Sequence, residues 1–295
     1  MRNSPSVLTT LPAEWRHWIA DNLARGCSPQ DMAHSMAASG QYSMALAQAA
    51  IDAAQTLRNA SAANLSSDAA AGSVGAAQQM PFIDLSSNRI TLPDRMVDVL
   101  CVLQQPQVIL LGNVLSMEEC DAIVAHCSHR YTRSTVASET DGASVVHAGR
   151  TSDMAFIQRG EAEVVERIEQ RLAALAHWPV ENGEPFQLQK YGVTQEYRPH
   201  YDWLDPDSSG HRSHLAQGGQ RLATFILYLS DVEQGGGTVF PGSGLEVYPR
   251  KGNALWFLNT DQQLQPDRQT LHAGAPVVRG TKIIANKWLR QTRYG

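Results

Sequence analysis

Cysteine is scarce in this sequence, and long hydrophobic runs are absent. The 295 residues include four Cys, none of them in a Cys-x-x-Cys pair, which argues against a structural zinc site or a dense disulfide framework. No apolar run reaches the roughly 18 residues that a membrane span needs, and the N-terminal segment holds no apolar stretch with a cleavage site. We therefore expect a soluble cytoplasmic protein that binds no membrane.

Blocks of Lys or Arg are also missing, and the net charge is −5. Neither nucleic acid nor an anionic membrane surface is therefore expected as a partner, whereas a basic peptide would be attracted. The hydrophobic content of 43% is that of a folded protein, and the length allows one large core or two domains.

Helical periodicity dominates residues 1–60. Trp15, Ile19 and Leu23 repeat at helical spacing, a second short helix is predicted from 28 to about 40, and a third, Ala-rich helix is predicted over 43–58. We interpret this part as a small N-terminal helical region. It is expected to pack on the following domain as an appendage, to mediate a homodimer or to bind a substrate protein.

Two further segments complete the predicted organisation. Residues 61–80 have almost no large apolar side chain, so we predict a flexible linker, in which some Ala-rich turns could be helical. Residues 81–295 combine helices over 116–129 and 161–177 with many short strands and Gly- and Pro-rich turns, which favours an antiparallel sandwich or barrel. Strands are predicted at 88–92, 108–111, 185–191, 196–203, 221–229, 238–240, 254–258, 269–272 and 281–289.

A candidate metal site lies in the predicted strand 196–203. His200 and Asp202 are separated by one residue, and alternate residues of a strand project to the same side. With His272 they form a set of two His and one carboxylate, which leaves three coordination positions open, as in non-haem Fe(II) oxygenases. Zinc is the competing metal, but the helical His-Glu-x-x-His of zinc hydrolases is absent.

An ordered series of motifs surrounds these three residues. It runs through Tyr191-Gly192, Tyr197, Gly219–Thr224, Tyr228–Pro241, Pro249–Gly252, His272, Gly280–Lys282 and Lys287-Trp288. This series closely resembles the prolyl 4-hydroxylase family of Fe(II)- and 2-oxoglutarate-dependent dioxygenases over about residues 81–290. The resemblance implies a mainly β domain with flanking helices, whose core is a double-stranded β-helix, the cupin-like jelly roll. It also implies Fe(II), 2-oxoglutarate and O2, with ascorbate as reductant.

Lys282 is the candidate anchor of the co-substrate. Alternation places it on one face of the last strand with Ile284, Asn286 and Trp288, and a Lys that points into a barrel is costly without an anion. The resemblance supplies that anion as the distal carboxylate of 2-oxoglutarate, with hydroxyl groups of Tyr191 and Thr238 as further partners. The alternative is that Lys282 reaches solvent.

The resemblance also assigns the substrate site. Tyr197, Arg221 and Trp288 match positions that line the prolyl pocket, where aromatic rings suit a pyrrolidine and a guanidinium can bind a peptide carbonyl. Arg150 is added at the end of 131–149, a segment that folds over the peptide in this family and is predicted to be a lid. The alternatives are core packing for Trp288, a surface ion pair for Arg221 and an ordinary surface loop for the segment.

Four further residues are predicted to have no role in the site, and three others depart from the family pattern. Tyr228 and Trp256 are predicted to be core, and His211 and His214 to lie in a solvated loop. The departures are Gly237, where the family commonly has an acidic residue, Ala275, where it has Cys, and Arg290, where it has His. Arg290 is expected near the substrate mouth, which weakens the expectation of a collagen-like peptide.

The resulting prediction is hydroxylation at C4 of prolyl residues in a peptide or protein, with release of succinate and CO2. One alternative is a dioxygenase with the same core that acts on another side chain, a free amino acid or a small metabolite. The other is a non-catalytic binding module, against which the complete ligand set argues, because a pure binder needs no open metal site.

Overall fold

The computed structural model describes residues 7–24, 26–68, 79–137, 144–146 and 149–295. The chain divides into two compact units, Met1–Ala76 and Ala77–Gly295. Among the residues described, no helix has both the length and the hydropathy that a bilayer crossing requires.

The first unit is helical, as predicted. Its helices are α1 (Ala13–Ala24), α2 (Pro29–Ala38) and α3 (Met44–Asp68), preceded by a 3-10 helix at Val7–Thr10. Buried side chains from all three α-helices form its core, among them Ile19, Met36 and Ile51. A homodimer through these helices stays a prediction.

Helix α3 is longer than the sequence suggested. It ends at Asp68 rather than at Arg58, so the first part of the predicted linker is helical. The reason is that Ala, Ser and Asn carry a small penalty in a helix, and this stretch contains neither Gly nor Pro to stop it. The rest of the predicted linker, apart from residues 79 and 80, lies outside the described residues.

The second unit is built from short strands and three α-helices in its described part. The strands are Arg89–Thr91 (β1), Met96–Leu103 (β2), Val108–Gly112 (β3), Thr132–Arg133 (β4), Thr135–Ala137 (β5), Ser144–Val146 (β6), Asp153–Ile157 (β7), Phe186–Tyr191 (β8), Tyr197–His200 (β9), Arg221–Tyr228 (β10), Gln234–Gly235 (β11), Thr238–Phe240 (β12), Leu245–Val247 (β13), Ala254–Leu258 (β14), His272–Gly274 (β15), Val277–Arg279 (β16) and Lys282–Arg290 (β17). The helices are Met117–Cys127 (α4), Glu163–Leu175 (α5) and Arg212–Ala216 (α6), with 3-10 turns at Val180–Asn182, Ser209–His211 and Arg268–Thr270.

Two antiparallel sheets form the predicted jelly roll. The larger has nine strands in the order β1-β2-β3-β14-β10-β17-β8-β7-β4, and the smaller has four in the order β13-β12-β15-β9. The pairs β11–β16 and β5–β6 form two small sheets. This arrangement confirms the predicted mainly β fold with flanking helices.

Strand β10 shows how the core is divided. Ala223, Phe225 and Leu227 belong to the core cluster that also contains buried residues of α4 and α5, whereas Ile226 and Tyr228 belong to a second cluster with β8, β12 and β14. Alternate side chains of a strand point to opposite faces, so one face of the large sheet carries the helices and the other faces the interior of the jelly roll.

The predicted strands are found, with three differences of detail. The strand expected over 196–203 ends at His200, and the one expected over 269–272 is a 3-10 turn followed by β15. Strands such as β2 and β7 were not predicted, because β2 has no regular alternation of buried and exposed residues and β7 follows a polar stretch without a strand pattern. The predicted lid is partly strand, as β5 and β6 pair, and its residues 138–143 and 147–148 lie outside the described residues.

A buried ion-pair network fastens the two long helices of the second unit. Glu119 on α4 closes a capping box with Ser116 and receives hydrogen bonds from Arg171 and Arg167 on α5, and Arg171 also binds Asp94 before β2. Burial raises the pKa of Glu119, but its bonds to Arg171, Ser116 and Arg167 outweigh that effect and lower the pKa to about 2. The carboxylate is therefore held ionised.

This network predicts an acid-sensitive contribution to stability. The folded pKa of Glu119 lies below its ordinary 4.5, so the contribution is complete above that value and is lost as the pH falls towards 2. Glu119→Gln should lower the free energy of unfolding at pH 7 by about 3 kcal/mol, because it breaks a buried pair. It should also flatten the loss of stability in acid, measured by urea unfolding at several pH values.

The control is Glu163→Gln, whose carboxylate also pairs with Arg167 but is 93% exposed. That change should cost about 0.5 kcal/mol or less. Equal losses in the two variants would contradict the role given to burial.

Candidate metal centre and adjoining pockets

The three predicted ligands meet between neighbouring strands of the small sheet. Strands β9 and β15 are antiparallel, and His200 stands directly opposite His272. Asp202 lies in a bend after the end of β9, so the predicted alternation along one strand is not what aims its carboxylate. The bend nevertheless brings one donor atom of each residue to within 4.8 Å of the others.

Hydrogen bonds fix both imidazoles in the state that a metal needs. The Nδ1 atoms lie 2.9 Å from the carbonyl oxygens of Arg198 and Thr270 respectively. Because a carbonyl can only accept, each Nδ1 donates, and each Nε2 keeps its lone pair. These Nε2 atoms lie 3.8 Å (His200) and 3.7 Å (His272) from the two carboxylate oxygens of Asp202.

The protonation states of His200 and Asp202 also suit a bound metal ion. Burial, reinforced by His272, lowers the pKa of His200 to about 3, so its ring is neutral near pH 7. Burial raises the pKa of Asp202, but the two His and Arg221 outweigh it and lower the pKa. Two neutral imidazole nitrogens and one carboxylate form a donor set that fits a divalent iron ion.

A second pair of side chains orients the carboxylate. Thr224 on β10 donates from Oγ1 to Oδ2 of Asp202 over 2.9 Å, and the amide of Asn259 donates to the same Oγ1 over 3.0 Å. Both residues are fully buried. Since a hydroxyl has one proton and the amide occupies a lone pair, the proton of Thr224 is directed to Asp202. Sequence reasoning gave neither residue a role, although Thr224 belongs to the motif series.

Lys282 lies beside this centre and is buried without a counter-ion. It is 1% exposed, and no carboxylate of the described residues lies within 4 Å of its ammonium. Burial lowers its pKa to about 7. Its neighbour on β17, Lys287, faces the other side and binds Glu169 over 2.5 Å. Lys287 is thus paired with a carboxylate of this chain, whereas Lys282 has no such partner among the described residues.

The other two predicted co-substrate residues line the same small cavity. Tyr191 has its ring 5.3 Å from the ammonium of Lys282, and its hydroxyl donates to Gln189. Thr238 accepts a 3.0 Å hydrogen bond from Tyr228, which leaves its own proton for another acceptor. Tyr228 is core, as predicted, but it also reaches this cavity through Thr238.

The cavity measures about 20 Å³ and is lined by residues including His200, His272 and Lys282. That space holds about one water. Side chains that line it must therefore move before a five-carbon keto-diacid can enter.

A larger cavity of about 330 Å³ opens on the other side of His200, and Arg150, Tyr197, Arg221 and Trp288 all line it. The ring of Tyr197 stacks on His200 at 3.6 Å, and the guanidinium of Arg150 lies 4.7 Å from the Tyr197 ring. The guanidinium of Arg221 lies 3.7 Å from the Trp288 ring. The structure therefore brings together all four predicted substrate residues.

Arg221 forms an ion pair, but not the surface ion pair that the sequence analysis raised as an alternative. Its pair is not on the surface: Glu184, 6% exposed, accepts from Nε over 2.6 Å and from Nη2 over 2.9 Å. Glu184 was not predicted, because no local pattern marks a carboxylate that serves a residue on another strand.

Two predictions about the surroundings of the site were wrong. His211 and His214 line the larger cavity rather than a solvated loop. Arg290 is 1% exposed and donates a hydrogen bond to the buried Glu184, so it is not at the substrate mouth. At Gly237, one of the departures from the family pattern, a Cβ would lie 2.3 Å from the carboxylate oxygen of Glu246, so a larger residue there would require the exposed Glu246 side chain to shift.

Fold and site together define a class. A jelly roll holds two His and one carboxylate beside a buried ammonium that no carboxylate in the described part of the chain neutralises. These are the parts of a non-haem Fe(II) oxygenase that takes an anionic co-substrate.

Comparisons with known proteins narrow the class. The model of the 2OG-Fe(II) oxygenase superfamily matches residues 186–290. The chain is 38% identical to prolyl 4-hydroxylase 5 of Arabidopsis thaliana over 203 residues, which are 62% of this chain and 68% of that protein. It is 34% identical to probable prolyl 4-hydroxylase 8 of the same plant over 222 residues, which are 68% of this chain and 73% of that protein. Among solved structures, it is similar to the viral collagen prolyl hydroxylase of Paramecium Bursaria Chlorella virus-1, with 29% identity, a TM-score of 0.48, and coverage of 62% of this chain and 95% of that one.

The chain belongs to the prolyl 4-hydroxylase family of 2OG-Fe(II) oxygenases and is a 2-oxoglutarate-dependent dioxygenase.

The hydrogen bond from Thr224 predicts a measurable effect on metal affinity. Thr224→Val keeps the shape of the side chain but leaves Asp202 without its donor, and should weaken binding of Fe(II) or Co(II) by about tenfold to a hundredfold. Anaerobic titration followed by Co(II) absorbance measures this. The matched control is Thr260→Val, because the Thr260 hydroxyl is buried without a partner among the described residues. Equal affinities in the two variants would show that Thr224 does not orient the carboxylate.

Proposed function

We propose that this enzyme hydroxylates C4 of prolyl residues in a peptide or protein. The observation that carries the proposal is the position of the candidate metal centre between two cavities, since His200 and Tyr197 line both. One cavity contains the ammonium of Lys282, which has no carboxylate partner among the described residues, and its charge suits a dicarboxylate once the lining side chains have moved apart. The other is larger, has aromatic walls and suits a pyrrolidine ring.

In this proposal His200, Asp202 and His272 hold Fe(II). When bound, Fe(II) with 2-oxoglutarate supplies the reduction of O2, by which 2-oxoglutarate becomes succinate and CO2 and one oxygen atom enters a C–H bond of the substrate. Ascorbate is included as the external reductant. A cytoplasmic location also remains part of the proposal.

The residues of the small cavity bind and orient the co-substrate. Lys282 neutralises the distal carboxylate of the co-substrate, and the hydroxyl of Thr238 donates its proton to the same carboxylate. Tyr191 forms the wall, and its hydroxyl is available only if it leaves Gln189. Binding of the dicarboxylate restores the favoured charged form of Lys282, whose pKa burial lowers.

The residues of the larger cavity position the substrate and exclude water. Tyr197 and Trp288 provide aromatic walls of this cavity, and each ring lies against another planar group, His200 and Arg221 respectively. Arg221 has Nε and Nη2 committed to Glu184, and its Nη1 donates to the carbonyl oxygen of Asp202 over 3.4 Å. Because Nη1 carries two N–H groups, its second one is available for a peptide carbonyl. Arg150 places a second guanidinium over Tyr197.

The proposal predicts peptide-dependent release of succinate. Protein incubated with Fe(II), ascorbate, 2-oxoglutarate and Pro-rich peptides should yield succinate and peptides heavier by one oxygen, located at C4 of proline by fragmentation mass spectrometry and amino-acid analysis. Asp202→Ala should lose both products, because it removes a ligand and its charge. Oxygen found on another residue, or only on free amino acids, would overturn the prolyl assignment. Absence of all turnover together with retained peptide binding would favour a binding module.

Lys282 predicts a selective loss of co-substrate binding. Lys282→Met should raise the KM for 2-oxoglutarate by roughly a hundredfold, because truncating one partner of a buried charge pair costs about 3 kcal/mol. Steady-state kinetics at saturating peptide measures it.

The matched control is Lys287→Met, which removes the buried lysine from the opposite face of β17. It should lower the melting temperature, because Glu169 loses its partner, and leave the KM for 2-oxoglutarate unchanged. The assignment of Lys282 is wrong if both variants change that KM to the same extent.

A further inference from the structure

We propose that Arg290 is a positioning residue for the peptide site, although it touches neither cavity. It ties Glu184 to the segment 203–220, and thereby fixes both Arg221 and the wall that carries His211 and His214. This inference rests on the proposed function, because the site that it concerns is the peptide cavity.

The contacts of Arg290 reach two separate parts of the chain. Its Nη1 donates to Oε1 of Glu184 over 2.8 Å, and its Nη2 donates to the carbonyl oxygens of His214 and Gly219, the latter over 2.6 Å. The side chain is 1% exposed, so each of these acceptors is satisfied without bulk solvent. Removing the guanidinium would leave the Gly219 carbonyl without this donor and would take from the buried Glu184 one of its two cationic partners. The His214 carbonyl would keep its hydrogen bond from the backbone N of Gln217.

Glu184 is shared between two guanidinium groups. Its Oε1 accepts from both Arg221 and Arg290, and its Oε2 accepts from Arg221. Burial raises the pKa of Glu184, but Arg221 and Arg290 outweigh that effect, so the pKa is lowered. Glu184 is therefore ionised and occupied on both oxygens, and its task is to hold Arg221 flat against Trp288.

The segment 203–220 joins two site residues. The chain leaves Asp202, passes through α6, and returns as Arg221. Gln220 fastens the base of the segment, accepting from Leu204 N over 2.7 Å and donating to Leu204 O over 2.6 Å. Arg290 fastens its middle and end through His214 and Gly219.

The fastened segment forms a wall of the peptide cavity. His211 and His214 line that cavity with Arg221 and Glu184, and Nδ1 of His211 accepts from the backbone N of Asp205 over 2.9 Å. A shift of α6 would therefore move the cavity wall and the end of the segment at Arg221 together. It would not move Lys282, which lies at the other end of β17.

Arginine suits this role because of the number and geometry of its donors. Its planar guanidinium offers five N–H donors in a fixed fork, and three acceptors on two segments use it here. An imidazole, which the family commonly has at this position, offers two nitrogens, and an ammonium is a point charge. At this position the chain thus has a buried guanidinium that links two segments, in place of the imidazole of the family pattern.

The experiment compares Arg290→Met and Arg290→Lys with Arg171→Met. Arg171 is a matched control, since it is also buried and binds two carboxylates and a carbonyl, but in the network between α4 and α5. Melting temperature, the KM for peptide, kcat, the KM for 2-oxoglutarate and hydrogen exchange of the amides in 203–220 are measured for each variant. The ratio of succinate to hydroxyprolyl product is also measured.

Arg290→Met should raise the KM for peptide by about tenfold to a hundredfold, because the site residues are misplaced. The KM for 2-oxoglutarate should stay within about twofold of wild type, since the co-substrate groups do not move. The ratio of succinate to hydroxyprolyl product should rise, and exchange in 203–220 should accelerate. Arg290→Lys should fall between Met and wild type. Arg171→Met should lower the melting temperature without any of these changes.

A purely structural role for Arg290 is the reading that remains if its variants lower the melting temperature but match Arg171→Met in peptide KM and in exchange of 203–220. Arg290→Lys decides the question if Arg290→Met does not fold. Failure of the proposed function is seen separately, because wild type would then hydroxylate no prolyl peptide. The exchange comparison would still test whether Arg290 holds the segment.

Discussion

The antiparallel pairing of β9 with β15 is the constraint on which the site depends. It sets His200 opposite His272, and the carbonyl oxygens of Arg198 and Thr270 then fix the tautomer of each ring. A slip of one residue in this register would turn one imidazole to the other face of the sheet. The position of the carboxylate is set differently, because Asp202 lies beyond the strand and is held by Thr224 of the opposing sheet.

Buried charge explains much of the rest. Glu119, Glu184 and Glu169 are each buried and each bound to Arg or Lys, as the cost of desolvation requires. Lys282 is different, because its ammonium is buried without such a partner among the residues described. Arg150 is also buried and has no carboxylate partner among the described residues, but it donates to oxygens of Thr135 and Gln187. The ammonium of Lys282 therefore marks a place where an anion from outside can be bound.

The two cavities are connected by polar contacts as well as by the metal ligands. Arg150, which lines the larger cavity, donates to Gln187 over 2.6 Å, Gln189 donates to the same oxygen over 3.1 Å, and Tyr191 of the small cavity donates to Gln189. Strand β8 therefore carries a hydrogen-bonded chain from one cavity to the other. A co-substrate that draws the Tyr191 hydroxyl away would change the first link of that chain.

The sequence by itself determined the jelly roll, the candidate ligands His200, Asp202 and His272, and the inward face of β17 with Lys282 and Trp288. The jelly roll and the three ligands follow from the ordered motif series and the family that it resembles, and the inward face of β17 follows from alternation along a strand. The alternation expected for His200 and Asp202 does not hold, because β9 ends at His200. Only the tertiary structure decided the partners: Glu184 for Arg221, Thr224 and Asn259 for Asp202, and Arg290 for the segment with His214. Each such contact joins residues far apart in the chain, where any of several polar side chains could serve. Burial then decides which of them must pair, and burial is a property of the packed fold.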